Sequence, residues 1–305
     1  MGWLQQMEAT GYKFRDARGE RGDCLQILKD NGINSIRLRV FVSPSSDRIS
    51  GHCSAQEVTE MAVRARKMGF RIMIDFHYSD SWADPQKQNK PAAWAKHSFA
   101  QLLDDVYKET YATLSTLKSS GVVPEWVQVG NEISWGMLWP DGSASNWSQL
   151  APLLNRGYDA VKAVDSSIKV IIHLHKGNDG AMYRKFFDAF RSAGGKWDVI
   201  GMSYYPWWDK REYSETIGDL GDNLVDMASR YGKKVMICEV GGDFAKAQDT
   251  RDMLVAVQER VRAVPNNMGL GVFYWEPEGE YSWSHYPLSC WGSDGRPTLA
   301  LTAFN

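Results

Sequence analysis

The amino-acid sequence predicts a (β/α)8 barrel. Short apolar runs typical of buried strands alternate with longer segments of helical periodicity, as expected for parallel strands joined by helical crossovers. Seven strands can be assigned, and the chain has no GxGxxG turn. An open doubly wound sheet more often has about five or six strands and a glycine-rich first turn. The length of 305 residues also suits a barrel.

The predicted elements follow one another from residue 34 onward. The strands cover residues 34–42, 70–77, 125–132, 168–174, 198–205, 234–240 and 269–276, and the helices between them cover residues 54–68, 98–118, 147–164, 180–193, 214–231 and 246–262. Ser54 and Glu57 form a capping box at the start of the first of these helices. Residues 11–33 supply a loop and a helix, so the first barrel strand is short or lies upstream of Met1. No linker or repeat interrupts the chain, which predicts a single domain over residues 1–305.

Composition excludes several classes of function. The 35 Lys and Arg residues nearly balance the 37 Asp and Glu residues, without a long run of either sign, which argues against a nucleic-acid partner. No apolar stretch approaches the roughly 20 residues that span a bilayer. The first residues lack the basic and apolar regions of a signal peptide. The four cysteines have no CxxC spacing, so neither a disulfide framework nor a metal site is expected, and Cys238 should be a buried thiol.

Two glutamates close predicted strands and are the strongest functional signal. Glu132 follows Asn131 at the end of one apolar run, and Glu239 closes another. In parallel α/β barrels, functional residues collect at the carboxyl ends of the strands. Either glutamate alone could be a salt-bridged rim residue. The pair suits the two-carboxylate chemistry of sugar cleavage, and the amide of Asn131 could donate to a sugar 2-hydroxyl.

Other polar residues at strand ends leave more than one interpretation open. Arg37 and Arg39 share one face of their strand, where they could form structural ion pairs or keep a nucleophilic glutamate ionised. His173 and His175 also share a face, but their surroundings do not favour a zinc site. Glu276 is a third carboxylate at a strand end, and we expect a structural role for it.

The aromatic content is high, with 13 tryptophans in the chain. Aromatic clusters follow three predicted strands, at residues 77–85, 204–208 and 274–277. Each cluster could be packing, but tryptophan also suits a cleft that stacks the flat faces of sugars. Trp126 opens a strand and should therefore lie far from such a cleft.

Six strings of residues resemble those of the arabinogalactan endo-β-1,4-galactanases, glycoside hydrolase family 53. They are G-I-N-S-I-R-L-R-V at 32–40, D-F-H-Y-S-D-S-W-A-D-P at 75–85, V-Q-V-G-N-E-I at 127–133, G-M-L-W-P-D-G at 136–142, S-Y-Y-P at 203–206 and F-Y-W-E-P at 273–277. The resemblance implies a retaining mechanism, with Glu132 as acid/base and Glu239 as nucleophile. It places four residues around the sugar at the cleavage point, Arg37, Asn131, Tyr205 and Trp275, and four more along the neighbouring cleft, His77, Trp82, Asp84 and His173.

The resemblance also implies a monomer that needs no cofactor and acts on β-1,4-galactan outside the cell, as a secreted, cell-surface or periplasmic enzyme. Three segments depart from the family pattern. The first strand is missing, the loop after Glu239 is short, and residues 278–297 differ. Calcium, which some bacterial members bind through the longer loop, is therefore not expected. Another β-glycanase of the same clan, such as a mannanase or xylanase, and a non-catalytic glycan-binding barrel are the alternatives.

Overall fold

The computed structural model describes all 305 residues and has nine strands. They are β1 (Ser35–Val40), β2 (Arg71–Phe76), β3 (Trp126–Val129), β4 (Gly136–Met137), β5 (Gly142–Ser143), β6 (Lys169–Leu174), β7 (Val199–Tyr204), β8 (Lys234–Val240) and β9 (Gly269–Tyr274). Seven of them pair in parallel in the order β1-β2-β3-β6-β7-β8-β9, while β4 and β5 form a short antiparallel hairpin after β3. The seven strands correspond to the seven predicted ones.

Nine α-helices lie before, between and after the strands. They are α1 (Leu4–Ala9), α2 (Cys24–Asp30), α3 (Ala55–Lys67), α4 (Phe99–Ser119), α5 (Trp147–Val164), α6 (Gly180–Ser192), α7 (Tyr213–Tyr231), α8 (Ala247–Arg262) and α9 (Tyr281–Ser284). The predicted capping box at Ser54 and Glu57 is present at the start of α3. The alternation of helices and parallel strands gives a nearly closed barrel, as the sequence predicted. None of the helices is both long enough and apolar enough to cross a membrane.

The barrel has a gap between β1 and β9, where an eighth strand would lie. No strand precedes α1. The first residues instead sit at the carboxyl end of the gap, where the α-amino group of Met1 donates to the main-chain oxygen of Arg37 at 2.8 Å. Below them is a cavity of about 360 Å³. The first four residues of β9 are only half buried, whereas β7 is buried throughout.

The barrel interior changes from apolar to polar along its axis. Seven buried side chains, most of them from alternating positions on the strands, form an apolar cluster separate from the main core of 71 residues: Met73, Trp126, Ile171, Val199, Met236, Cys238 and Phe273. Alternation along a barrel strand turns such residues inward. The next inward positions toward the carboxyl ends hold Arg37, Asp75, Gln128 and His173, all buried. This polar layer supports the site described below.

Candidate active site

Arg37 is the centre of the polar layer. Its Nη2 lies 2.8 Å from Asp75 Oδ2 and 2.9 Å from Glu239 Oε1, and it donates to Asn131 Oδ1 at 2.9 Å. The Arg37 side chain is only 6% exposed. A buried guanidinium requires compensating charge, and here two carboxylates supply it. Burial alone would raise the pKa of Asp75, but Arg37 and then His77 hold that pKa below its ordinary value.

Glu239 reaches the barrel interior because β8 carries a bulge. Met202 pairs with Ile237 but Ser203 pairs with Glu239, so Cys238 is an extra residue in the ladder. Strict alternation after Cys238 would turn Glu239 away from the interior, and the bulge re-aims it. Besides its ion pair with Arg37, Glu239 accepts a hydrogen bond from the Tyr205 hydroxyl at 3.2 Å. Each carboxylate oxygen therefore has a fixed partner.

Glu132 is held by a strained backbone. β3 ends at Val129, Gly130 has φ 79°, and Glu132 itself has φ 48°, in the left-handed region. A glutamate there is uncommon, and such conformations concentrate at functional sites. The N–H of Glu132 donates to Nδ1 of His173 at 3.3 Å. His173 is in turn held through Nε2 by the Ser203 hydroxyl at 2.8 Å.

The side-chain amide of Asn131 has a fixed orientation. Its oxygen accepts from Arg37 and from Gln128 Nε2, both at 2.9 Å, and its Nδ2 donates to the main-chain oxygen of Ala83 at 2.9 Å. An amide nitrogen carries two hydrogens. One N–H therefore remains to donate to a ligand in the cleft.

The two glutamates titrate differently. Burial raises the pKa of Glu132, and the charge of Glu239 raises it further, to about 8. Burial also raises the pKa of Glu239, but Arg37 opposes that rise. Glu132 lacks the direct cationic partner that Glu239 has, so of the two it binds its proton more tightly. A protonated and an ionised carboxyl group in one site can act as an acid and as a nucleophile or base.

The glutamates line a cleft of about 930 Å³ at the carboxyl end of the barrel. Of the ten residues predicted for the site, eight line this cleft: Glu132, Glu239, His77, Trp82, Asp84, Asn131, Tyr205 and Trp275. Arg37 and His173 do not line it, because they belong to the buried layer beneath. The expectation that His173 forms part of the cleft wall was therefore wrong, and its contacts support Asn131 and Glu132 from below.

Several residues of the site were missed from the sequence. Asp75 and Gln128 complete the network around Arg37, and Gln128 Nε2 donates to Asp75 Oδ1 at 2.6 Å. Their signal was a polar residue inside a buried apolar run, which needs a partner. Trp3 also lines the cleft, and its ring centroid lies 5.2 Å from that of Trp275. Trp135, three positions after Glu132, also lines the cleft and was missed as well.

Arg39 and Glu276 form a separate buried group beside the cleft. They are ion-paired, and Glu276 also accepts from the N–H groups of Gly2 and Trp3. Burial would raise the pKa of Glu276, but the α-amino group of Met1 and then Arg39 lower it to about 2. Glu276 does not line the cleft, which agrees with the structural role expected for it.

The whole chain was compared with known proteins. It matches the model of glycosyl hydrolase family 53 over residues 1–294. This chain belongs to glycosyl hydrolase family 53. Its relatives include the "Uncharacterized protein in bgaB 5'region" of Niallia circulans, which is 37% identical over 95% of this chain and 86% of that protein. Another is the "Probable arabinogalactan endo-beta-1,4-galactanase A" of Neosartorya fischeri, 33% identical over 88% of this chain and 80% of the relative.

Solved structures agree with the family 53 assignment. The Ignisphaera aggregans GH53 catalytic domain superposes with a TM-score of 0.92 at 32% identity, over 100% of this chain and 93% of that one. A structure from a study of two fungal β-1,4-galactanases has a TM-score of 0.89 at 27% identity, over 100% of this chain and 97% of the other. Family 53 barrels therefore share the fold of this chain along its whole length.

Proposed function

We propose that this family 53 chain is a retaining endo-β-1,4-galactanase. It hydrolyses β-1,4-galactan, the galactan of pectic type I arabinogalactan, to galacto-oligosaccharides. The observation that carries the proposal is the pair Glu132 and Glu239 in one cleft. Of these two glutamates only Glu239 is ion-paired with Arg37, and the pKa of Glu132 is raised to about 8. The activity for which the galactanase relatives are named supports the choice of substrate.

The proposed mechanism assigns one role to each glutamate. Glu239 attacks the anomeric carbon while Glu132 protonates the glycosidic oxygen of the leaving chain, which gives a covalent glycosyl-enzyme. Glu132, now ionised, then removes a proton from a water molecule, and that water releases the sugar from Glu239. Arg37 and Tyr205 hold Glu239 in place during both steps.

The cleaved sugar would bind between an indole ring and a hydrogen-bonding wall. Trp275 offers a partly exposed face in the cleft, backed by edge contacts with Trp3 and Tyr286 at 5.2 and 4.8 Å between ring centroids. The free N–H of Asn131 would donate to the 2-hydroxyl, a contact that strengthens in the transition state. His77, Trp82 and Asp84 would extend the binding site beyond this sugar.

The alternative activities have weaker support. The catalytic core of a xylanase superposes with a TM-score of 0.61 at 10% identity, a likeness that concerns the fold alone. A glycan-binding barrel would need neither a protonated nor an ionised glutamate, so the two unlike carboxyl groups argue for turnover. Glu132, Glu239, Arg37 and Tyr205 all come from this chain, so the proposed chemistry needs no residue of a second subunit. A polymeric substrate supports a location outside the cell or in the periplasm.

Turnover of a polysaccharide panel by matched variants tests the proposal. Wild type should release oligosaccharides from β-1,4-galactan and not from mannan or xylan, and NMR should show the β-anomer first.

Glu239→Gln should lose activity on the order of 10³-fold or more. Glu132→Ala should regain turnover of an aryl galactobioside with azide and yield a β-glycosyl azide. Glu60→Gln, an exposed glutamate on α3, is the control. An α-anomer as first product would contradict retention.

A further inference from the structure

We infer that Trp135 is a sugar-binding platform on the leaving-group side of the cleft, where it stacks the galactose units beyond the cleaved bond. This inference rests on the proposed galactanase function and extends it. Trp135 lines the same cleft as Glu132 and Glu239, and 47% of the residue is exposed. It follows the proposed acid Glu132 by three positions. An indole left open at the wall of a cleft is available to a ligand.

Hydrogen bonds and close backbone packing fix the loop that carries Trp135. The main-chain oxygen of Trp135 accepts from Ala144 N at 2.9 Å and from Trp139 Nε1 at 3.0 Å. The hairpin of β4 and β5 follows directly, and at Gly136 a Cβ would come within 2.0 Å of the Gly142 oxygen. Close backbone packing of this kind fixes the loop. The indole is therefore presented in a set position and loses little freedom when a sugar binds.

A second loop supports Trp135 from the side. The Ser134 hydroxyl is hydrogen-bonded to Nδ1 of His175 at 2.6 Å and accepts from His175 N at 3.2 Å. The rings of Trp135 and His175 meet edge to face, with centroids 6.0 Å apart. The loops after β3 and β6 are thus joined next to the exposed indole.

The position of the acid identifies this end of the cleft as the leaving-group side. The opposite end carries Trp3, Trp82 and Trp275, next to Arg39 and β9. Trp275 and Asn131 would hold the sugar that becomes attached to Glu239. Glu132 must face the glycosidic oxygen, so the departing chain continues past Glu132 toward β6 and β7. Trp135 and His175 lie on that path.

The charges at this end suit a neutral sugar. Burial, followed by the charge of Lys176, lowers the pKa of His175 to about 4, so its ring is uncharged near neutral pH. Lys176 is ion-paired with Asp209 at 3.0 Å. No unpaired cation is therefore offered to an acidic sugar. An apolar ring face with neutral neighbours fits the flat C–H face of galactose.

Two substrates separate binding of the leaving chain from the chemistry. β-Galactobiosyl fluoride fills only the side of the retained sugar, because its leaving group is a single atom, whereas galactohexaose reaches both sides. For Trp135→Ala we expect kcat/KM on galactohexaose to fall on the order of tenfold, and kcat/KM on the fluoride to stay within about twofold of wild type. Transfer of galactobiose to added galactobiose should also fall relative to hydrolysis.

Three controls make the outcome decisive. Trp135→Phe keeps an aromatic face and should recover part of the loss. Tyr111→Ala removes an aromatic residue of similar exposure, 42%, from the outer surface of α4. This variant should leave kcat/KM unchanged on both substrates. Thermal melts check folding. Equal losses of Trp135→Ala on both substrates, or no loss on either, would overturn the platform while leaving galactanase activity intact. A wild-type protein inactive on galactohexaose would instead overturn the proposed function and the platform with it.

Discussion

Single residues that follow the barrel strands adopt left-handed backbone conformations, and Glu132 of the site is one of them. Tyr78, Glu132, Lys176 and Glu276 each follow a barrel strand, and their φ angles lie between 44° and 49°. Such conformations cost on the order of 1–3 kcal/mol each for residues other than glycine. At Glu132 the left-handed turn points the carboxyl group into the cleft. Two hydrogen bonds hold that turn: the N–H of Glu132 donates to Nδ1 of His173 at 3.3 Å, and Gln88 Nε2 donates to the main-chain oxygen of Asn131 at 2.8 Å.

The unlike titration of the two glutamates predicts a bell-shaped pH profile. The proposed mechanism requires Glu239 ionised and Glu132 protonated. It should therefore increase as the pH rises through the pKa of Glu239 and decrease as the pH rises through that of Glu132, about 8. The profile of kcat/KM on galactan measures both limbs. A basic limb that persists in Glu132→Gln at a near wild-type rate would refute the assignment.

At the residue scale, sequence reasoning selected the two glutamates that share the cleft but missed part of the network beneath them. Glu132 and Glu239 were visible because each closes an apolar run. Asp75 and Gln128 lie inside such runs, and their partner Arg37 comes from another strand, so the network depends on barrel closure. Trp135 had no signal, because whether an indole is exposed depends on packing between loops far apart in sequence.

The two ends of the barrel strands contribute to different parts of the molecule. The amino ends of the strands supply the apolar cluster around Trp126, and the carboxyl ends supply the cleft around Trp275. Trp126 is buried, packs edge to face on Phe273 at 6.0 Å and lies beneath Arg71 at 4.3 Å from its ring centroid. Trp275 is partly exposed to the cleft. The two indoles therefore lie in different surroundings at opposite ends of one barrel.

A pair of tryptophan variants tests this division. Trp275→Ala should lower kcat/KM on galactan on the order of 10²-fold, because the reacting sugar loses its stacking surface. Trp126→Ala should act on stability instead, by about 3–5 kcal/mol, as large core aromatics do. Steady-state kinetics and urea unfolding of both variants give the comparison. Equal kinetic losses with unchanged unfolding would mean that the catalytic cleft lies elsewhere on the barrel.

Regular elements were predictable and the irregular ones were not. The seven barrel strands and the helix caps follow local patterns of apolar residues and capping side chains. The β4–β5 hairpin has two-residue strands, too short for any period to register. The bulge at Cys238 also has no local signal, since it arises from the pairing of β7 with β8. Both features sit beside a proposed catalytic glutamate.

The buried glutamates of the barrel make the stability of the whole molecule depend on pH. Glu132 and Glu239 line the cleft, Arg37 lies beneath it, and burial raises the pKa of both glutamates. A carboxyl group that binds its proton more tightly in the folded state stabilises the fold fully below its unfolded pKa, about 4.3. That contribution is lost as the pH rises through the folded pKa. Above about pH 8 the fold must therefore hold a poorly solvated charge.

Removing the charge of Glu132 should consequently stabilise the protein at high pH. We compare the free energy of unfolding of Glu132→Gln with that of wild type at two pH values. The advantage of the variant should be larger at about pH 8 than at about pH 4, by on the order of 1–3 kcal/mol. The expected difference is small because the cleft admits solvent. Urea unfolding at both pH values measures this difference, and Glu60→Gln is the matched exposed control. Comparing two pH values cancels any fixed effect of the amide on packing. The same advantage at both values would mean that Glu132 is not held protonated by its surroundings, and its role as the acid would fail with it.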